Sequence, residues 1–483
     1  KKKKKKITYH NGRSAQSRLH IKALAILAGG CIEAQEQQQQ QQRNSGTGPE
    51  PLGTGSDGRS EKYMTFWTDC GGFNNIRMVF EYMVMVARLT NRVLVTPPEE
   101  GWYLIDWGGM SRMKTNDHSG RSEYSNFFDF DDLNLEVKTI TAFEFAQQYG
   151  RQVGMPESWT QDSNNGLREH AKEYKRWCNR YADEHATNMP WGPLGNVLFW
   201  PSISAVEQAK RLPTDRFMAG RKRVQYSKEQ QDMTWVHFPI VFFFKKKKGW
   251  KLQLLKFGFF FFFLKKKKKG NYRYLGQVST FVWFSQRKDD LALRRVLRDH
   301  VHLRKEVFEY ASYAIEFLGL FQYAAVHIRR NELQYRESFL EASISLQHIR
   351  PLIKKTEAIY ISTDETNPHF FAAFEKEFKI WKYQDLFGEG KPLAHVQVPR
   401  RLEGVVEMVI CAAGRIFFGT DTSTFTSYIT RLRGYVNAPD KHTYHHNEQW
   451  TGNLLEDIKR YADLGGDRYM DEFPEMWEDI YGT

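Results

Sequence analysis

The sequence predicts an α/β protein of two domains. Three observations carry this. A strand–turn–helix–strand unit occupies residues 63–96, strand and helix alternate from 322 to 433, and enough chain remains for two cores. Removing the low-complexity segments leaves roughly 390 residues, more than a single core of ordinary size organises.

The first unit reads Tyr63-Met-Thr-Phe-Trp-Thr-Asp-Cys-Gly-Gly-Phe-Asn-Asn-Ile-Arg77. A short β-rich run meets a Gly-Gly turn, after which Met78, Val79, Tyr82, Met83, Val86 and Leu89 recur at helical spacing. Arg92–Thr96 follows as a strand before Pro97-Pro98. Two glycines sit where the backbone must approach something closely, but the six-position Gly-x-Gly-x-x-Gly pattern is absent, so no nicotinamide cofactor is implied.

The second half is read as strand 322–328, helix 336–353, strand 358–363, helix 367–377, helix 403–413, strand 415–418 and helix 423–433. The first strand ends in His327, Arg329 and Arg330. In open α/β sheets ligands sit at the carboxyl ends of strands, and alternation sends His327 and Arg329 to one face and Arg330 to the other. An arginine fork there suits a diphosphate. In Arg415–Gly434, an apolar strand meets Gly-Thr, a cluster of hydroxyls and a helix containing two arginines. Orphan amides and the helix dipole at such a helix start favour a phosphate.

Net charge is +13, which would invite a nucleic-acid partner. Three lysine runs, Lys1–Lys6, Lys245–Lys248 and Lys265–Lys269, carry fifteen of those charges; without them the chain stands at −2, and no basic face for nucleic acid is expected. Phe and Lys blocks alternate from 242 to 269, read as an insertion outside the framework, with a membrane-surface loop as the alternative. Residues 34–62 are Gln-, Gly- and Ser-rich. Before them, Ala23–Ile32 has the outline of a signal sequence or signal-anchor remnant, too short to span a bilayer. The expected divisions are 1–60 targeting or linker, 61–241 N-terminal domain, 242–269 insertion, 270–310 interdomain connection, 311–440 C-terminal domain and 441–483 tail. There are four cysteines, and either Cys70 or Cys411 is a partner for Cys178 in an oxidising lumen. No zinc-spaced Cys/His set or Asn-x-Ser/Thr sequon is present.

Taken together, the three motifs resemble the GDP-fucose protein O-fucosyltransferase family. Gly71–Arg77 looks like its first motif, His327-Ile-Arg-Arg-Asn-Glu-Leu333 its second and Phe418–Phe425 its third, with the branch acting on thrombospondin-type repeats most similar. The resemblance spans about residues 60–435. It implies a GT-B fold: two Rossmann-like domains with the active site in the cleft and the donor held mostly by the C-terminal one. It implies an inverting transfer of fucose from GDP-fucose to a Ser/Thr hydroxyl of a protein, without cofactor or metal, in the lumen of the secretory pathway, with a membrane involved only through an N-terminal anchor. A related transferase acting on a glycan, or a non-catalytic GDP-sugar-binding relative, are the alternatives.

Residue by residue, the resemblance puts Gly71, Gly72, Phe73 and Asn74 at the donor, with Arg77 among the groups that face its charge. His327 and Arg329 hold the donor, with Arg329 on the diphosphate. Ser423, Thr424 and Phe425 lie at phosphates and nucleoside, and Glu407 reads guanine, since one carboxylate accepts both N1–H and N2–H. The other reading of Glu407 is an ordinary charge on the exposed face of its helix. Asp364 is a second acidic candidate at a strand end, or else the N-cap of the next helix. Arg329 and Asn74 are the catalytic candidates. One departure stands out: Gly71 occupies the position where the thrombospondin-repeat branch carries a glutamate as base. Asp69 and Glu81 are the nearby carboxylates, and the base stays open.

Overall fold

The computed structural model describes residues 61–68, 71–103, 105–106, 120–161, 165–185, 197–199, 223–225, 232–238, 283–284, 287–330, 339–421, 423–436, 438–440, 442, 444–453 and 456–457. Residues 1–60, the Phe/Lys stretch 242–269, Asp69, Cys70 and Asn331–Leu333 lie outside that set.

In chain order the first half comprises β1 (Tyr63–Phe66), α1 (Phe73–Thr90), β2 (Val93–Thr96), β3 (Thr139–Thr141), α2 (Ala142–Tyr149) and α3 (Ala171–Glu184). It continues through β4 (Val197–Phe199), β5 (Arg223–Gln225), β6 (Trp235–Phe238), β7 (Trp283–Phe284) and α4 (Arg287–His300). The second half holds α5 (Lys305–Leu318), β8 (Tyr323–Ile328), α6 (Ala342–Ile349), β9 (Ala358–Thr363), α7 (Ala372–Glu377) and β10 (Ile380–Trp381). It closes with α8 (Glu403–Ala412), β11 (Ile416–Gly419), α9 (Thr424–Tyr435) and β12 (Tyr444–His445).

Each half is built on a parallel sheet. The first has the order β3-β2-β1-β6 and the second β10-β9-β8-β11-β12. Strands covered on both faces should be apolar at nearly every position, and β1, β2, β6, β8 and β11 are buried throughout. Successive side chains then serve different cores. Tyr323, Ala325, Tyr360 and Phe417 enter a large central core; Ala324, Val326, Ile359 and Phe418 enter an outer one with α6 and α7. In the first sheet Met64, Phe66 and Leu94 face the central core, while Tyr63, Val93 and Val95 join α2 and α3 outside. The result is five layers: outer helices, sheet, shared helices, sheet, outer helices. This is the α/β arrangement of the GT-B fold, with α1, α4, α5, α8 and α9 in the shared layer.

Several boundaries differ from the sequence expectation. Residues 270–310, read as a connection, supply α4, whose Leu293, Val296 and Leu297 pack in the central core against α1. Residues 441–483, read as a tail, supply β12, which adds to the second sheet beside β11. β7, which follows the Phe/Lys stretch, pairs in a small third sheet with β4, which precedes it. The expected helix 367–377 begins only at Ala372, and the helix expected from 336 runs from Ala342 to Ile349 before a 3₁₀ turn at Pro351. Cys178 and Cys411 are buried free thiols in cores on opposite faces of the first sheet, so the expected pairing of Cys178 does not form. No helix among the described residues is long and apolar enough to cross a membrane.

Candidate active site at the meeting of two helix starts

The carboxyl end of β8 divides its side chains as alternation requires. Arg330 turns to the outer face, where its Nε donates to Glu365 at 3.1 Å and its guanidinium lies 4.3 Å from the Phe370 ring. His327 turns inward and is buried; its Nδ1 lies 3.0 Å from Thr426 Oγ1 and its ring 4.6 Å from that of Phe425. Burial, with the positive field of Arg329 and the neighbouring His446, pushes its pKa well below the ordinary range, so the imidazole is neutral. Arg329 follows on the same side. Its side chain is about one-fifth exposed, and its Nε stands 4.0 Å from Asp364 Oδ2.

β11 leads into α9 through Gly419-Thr420. A Cβ at Gly419 would meet Thr426 Cγ2 at 2.0 Å, so only glycine lets the strand end lie against the first turn of α9. Ser423 is the N-cap residue of α9, extended at φ −99°, ψ 123°, without a side-chain cap. Its Oγ is buried with no hydrogen bond among the described residues. Thr424 and Phe425 are half-buried at the helix start.

Across the shared layer, α1 starts equally uncapped. Gly72 is its N-cap residue, with no acidic side chain in the first turn, and Gly71 before it is half-buried. Phe73 packs on Phe127 at 4.7 Å between ring centroids. Asn74 is 4 % exposed; its Nδ2 lies 3.5 Å from Met408 Sδ on α8, and its Oδ1 has no hydrogen bond among the described residues. Arg77 meets Tyr428, and one turn later Glu81 meets Tyr428 and Arg431. Contacts therefore advance together along α1 and α9, and both helices point their N-termini the same way.

Glu407 lies on α8 beside this end of the molecule. Tyr360 donates to its Oε1 at 3.1 Å, and burial, reinforced by Glu403 and Asp364, pushes its pKa up to about 8. It is not an exposed surface charge. Asp364 is not an N-cap either: its Oδ1 accepts from the Arg330 N–H at 2.7 Å, and α7 starts eight residues later.

Arg77 and Glu81 both lie deep between the two halves. Arg77 is 3 % exposed, donates to Glu81 Oε1 at 2.8 Å and lies 4.3 Å from the Tyr428 ring. It serves the seam between the halves, while its Nη1 is buried with no hydrogen bond among the described residues. Glu81 is 1 % exposed between Arg77 and Arg431, with Nη1 of Arg431 at 2.6 Å. Burial alone would raise its pKa, but the two guanidiniums hold it below the usual value. A carboxylate so enclosed cannot serve as a base. Asp69, the other candidate, lies outside the described residues.

The first, second and third motifs thus converge, with Asn74 Oδ1, Arg329 Nε and Ser423 Oγ all buried and without hydrogen bonds among the described residues. Buried polar groups are rarely left so unless something else completes them. A sequence-family model described as GDP-fucose protein O-fucosyltransferase matches residues 63–436. The chain belongs to that family. No curated protein sequence matches it. Among solved structures, POFUT1 in complex with GDP-fucose is 11 % identical, covering 81 % of this chain and 99 % of its own, with a TM-score of 0.39. NodZ α-1,6-fucosyltransferase soaked with GDP-fucose is 13 % identical, with coverages of 77 % and 92 % and a TM-score of 0.35. A mutant of Arabidopsis thaliana FUT1 in complex with GDP is 10 % identical, with coverages of 83 % and 77 % and a TM-score of 0.37. Likenesses at this level decide nothing alone; the family match carries the assignment.

Sequence reasoning missed Thr420, Thr426, Tyr428, Arg431 and His446 as organisers of the fucosyltransferase site. Thr420 and Thr426 stood within the hydroxyl cluster, and Arg431 was visible as a helix arginine. His446 gave no signal beyond a His-His pair.

Proposed function

We propose that the protein is an inverting transferase moving fucose from GDP-fucose to a Ser/Thr hydroxyl of a polypeptide. The observation that carries this reading is that each of the three motifs holds a buried polar atom without a hydrogen bond among the described residues (Asn74 Oδ1 and Arg77 Nη1, Arg329 Nε, Ser423 Oγ), where two uncapped helix starts point the same way. The diphosphate is an anion, and first-turn amides, Ser423, Thr424 and Arg329 offer donors and positive charge to it. Glu407, in its ionised form, accepts from guanine N1–H and N2–H.

In the transfer the bond between the anomeric carbon and the diphosphate oxygen breaks as the acceptor oxygen attacks from the opposite face. The electron pair leaves with GDP, and the acceptor proton passes to water or to the departing diphosphate as the new bond forms. Charge grows on the diphosphate, so Arg329 stabilises the transition state more than the ground state. This electrostatic task needs no divalent cation. A non-catalytic GDP-sugar-binding role is the second reading. It is favoured by one observation: Gly71 offers no side chain where a base is expected, and Glu81 is enclosed.

Titration calorimetry with GDP, GDP-fucose and UDP-glucose tests the donor. Saturating donor should raise stability by roughly 2–3 kcal/mol at a hundredfold Kd. Equal or tighter binding of UDP-glucose sinks the reading. Donor hydrolysis and transfer to peptide or glycan acceptors, with EDTA against manganese, separate enzyme from binder and test the metal-free mechanism.

A further inference from the structure

Thr420 Oγ1 has three polar neighbours: the His327 carbonyl oxygen at 2.9 Å, the Arg329 N–H at 2.9 Å and His446 Nε2 at 3.1 Å. A hydroxyl has one proton and two lone pairs. An amide N–H can only donate, and a carbonyl can only accept. The Thr420 proton therefore goes to the His327 carbonyl, since two oxygens at 2.9 Å without a proton between them would repel. Arg329 N–H and His446 Nε2–H take the two lone pairs. His446 Nδ1 is then unprotonated and accepts from Ser345 Oγ at 3.0 Å. All four atoms are fully matched in one arrangement only.

The same logic runs through Thr426. Its Oγ1 donates to the Thr420 carbonyl at 2.9 Å, so the contact with His327 Nδ1 at 3.0 Å must carry the imidazole proton. His327 is then the Nδ1–H tautomer, and its Nε2 presents a lone pair. Thr420, Thr426, Ser345 and His446 are all buried, and burial holds His446 neutral, its pKa pushed down to about 3.

We infer that His446 and Thr420 are positioning residues that lock the backbone bearing Arg329 and set His327 as a proton acceptor at Nε2. His446 lies beyond residue 436, where the family match ends, and β12 carries it to the second sheet. His446 N–H donates to the Gly419 carbonyl at 2.9 Å, which holds this register. With Thr420 held on both sides, the strand end from which the Arg329 side chain projects is fixed. The lone pair of His327 faces a hydroxyl-bearing ligand as acceptor, not a phosphate as donor.

That Arg329 meets a diphosphate rests on the donor-transfer reading above, so the test has two arms. The first uses the full chain with ¹⁵N-labelled histidine and reads ring nitrogen tautomers by NMR. His446 should be Nε2–H and His327 Nδ1–H, both neutral at pH 6; the opposite tautomer or a charged ring at either position overturns the inference whatever the enzyme does. The second arm compares Thr420→Val with Thr420→Ser, and His446→Leu with His446→Gln, in GDP-fucose turnover and binding. The variants lacking the bonding group should lose kcat by on the order of tenfold, with smaller change in donor Kd. Thr420→Ser, which keeps the hydroxyl, and His446→Gln, which keeps a donor, should recover most of it. Unchanged kcat in Thr420→Val with wild-type stability overturns the positioning role. Absence of GDP-fucose binding by the wild type sinks the functional reading while leaving the tautomer result to stand.

Discussion

The seam and the crevice lie a few helical turns apart and treat charge in opposite ways. In the seam, Glu81 is enclosed by Arg77 and Arg431, with Tyr428 Oη donating at 2.9 Å and both guanidiniums about 4.4 Å or less from the Tyr428 ring. In the crevice, Arg329, Asn74 and Ser423 each keep a buried polar atom without a hydrogen bond among the described residues. Both regions are rich in arginine and hydroxyls, so composition does not separate them. The carboxylate does: Glu81 lies against both seam guanidiniums and neutralises them from within the protein, whereas the carboxylate of Asp364 stands 4.0 Å from Arg329 Nε and leaves that charge for something from outside.

The comparison can be broken at either end. The largest effect should come from the seam. Glu81→Ala leaves two buried guanidiniums without their carboxylate and should cost about 3–5 kcal/mol of stability. A denaturant midpoint close to wild type would show that the seam does not hold the halves. Next comes Arg329→Lys, which replaces a planar fork by a point charge. Turnover should fall by on the order of 10²–10³ while the denaturant midpoint barely moves. The reverse pattern would put Arg329 in the structural class with Arg431.

Glu407 sharpens the contrast through pH. Its carboxyl, raised to about 8, is protonated at neutral pH in the empty protein, yet guanine recognition uses the ionised form. GDP affinity should therefore rise by about tenfold per unit as pH approaches 8 and level off above it. Calorimetry in buffers of different ionisation enthalpy should register proton release, and Glu407→Gln should flatten the profile. A pH-independent affinity in the unmodified protein would remove Glu407 from the guanine contact.

The smallest effect concerns a brace outside both regions. Asp132 lies 3.1 Å from His300 Nδ1 and 2.9 Å from His302 Nδ1. Burial pulls the His300 pKa down, but Asp132 outweighs it and the net direction is upward; burial raises that of Asp132, but the imidazoles hold it well below the carboxylate range. A raised histidine stabilises in full below its unfolded value of 6.5, and that contribution fades as pH rises through the folded value. The lowered aspartate stabilises above its unfolded value of 3.8 and loses this as pH falls. Both contributions are present between those two values. His300→Gln should remove about 1 kcal/mol or less there, and little at pH 9.

Much of this was legible in sequence because the signals were local. Period-two alternation on β8 placed His327, Arg329 and Arg330 on their faces, and helical spacing after the Gly-Gly turn gave α1. The hydroxyl cluster marked the start of α9. What escaped depended on distant partners. Arg77 reads as a group facing the donor's charge, and only the fold brings Tyr428 and Glu81 around it. Glu407 and Glu81 are both acidic helix residues, yet one is raised by burial beside other carboxylates and the other lowered between guanidiniums. No spacing rule links His446 to Thr420, twenty-six positions earlier, because a strand register joins them.

That late strand also sets the order in which the molecule can be completed during synthesis. β8 and β9 emerge early and can pair; β11 follows some ninety residues after β8. Until residues 444–446 have cleared the ribosome, Thr420 lacks its imidazole neighbour and the second sheet ends at an open edge. A nascent chain stalled short of that point would hold both helix starts and Arg329 with the loop between them still unbraced. Competence to grip a ligand would therefore be acquired only once residues 444–446 have emerged, after the cores on either side have begun to form.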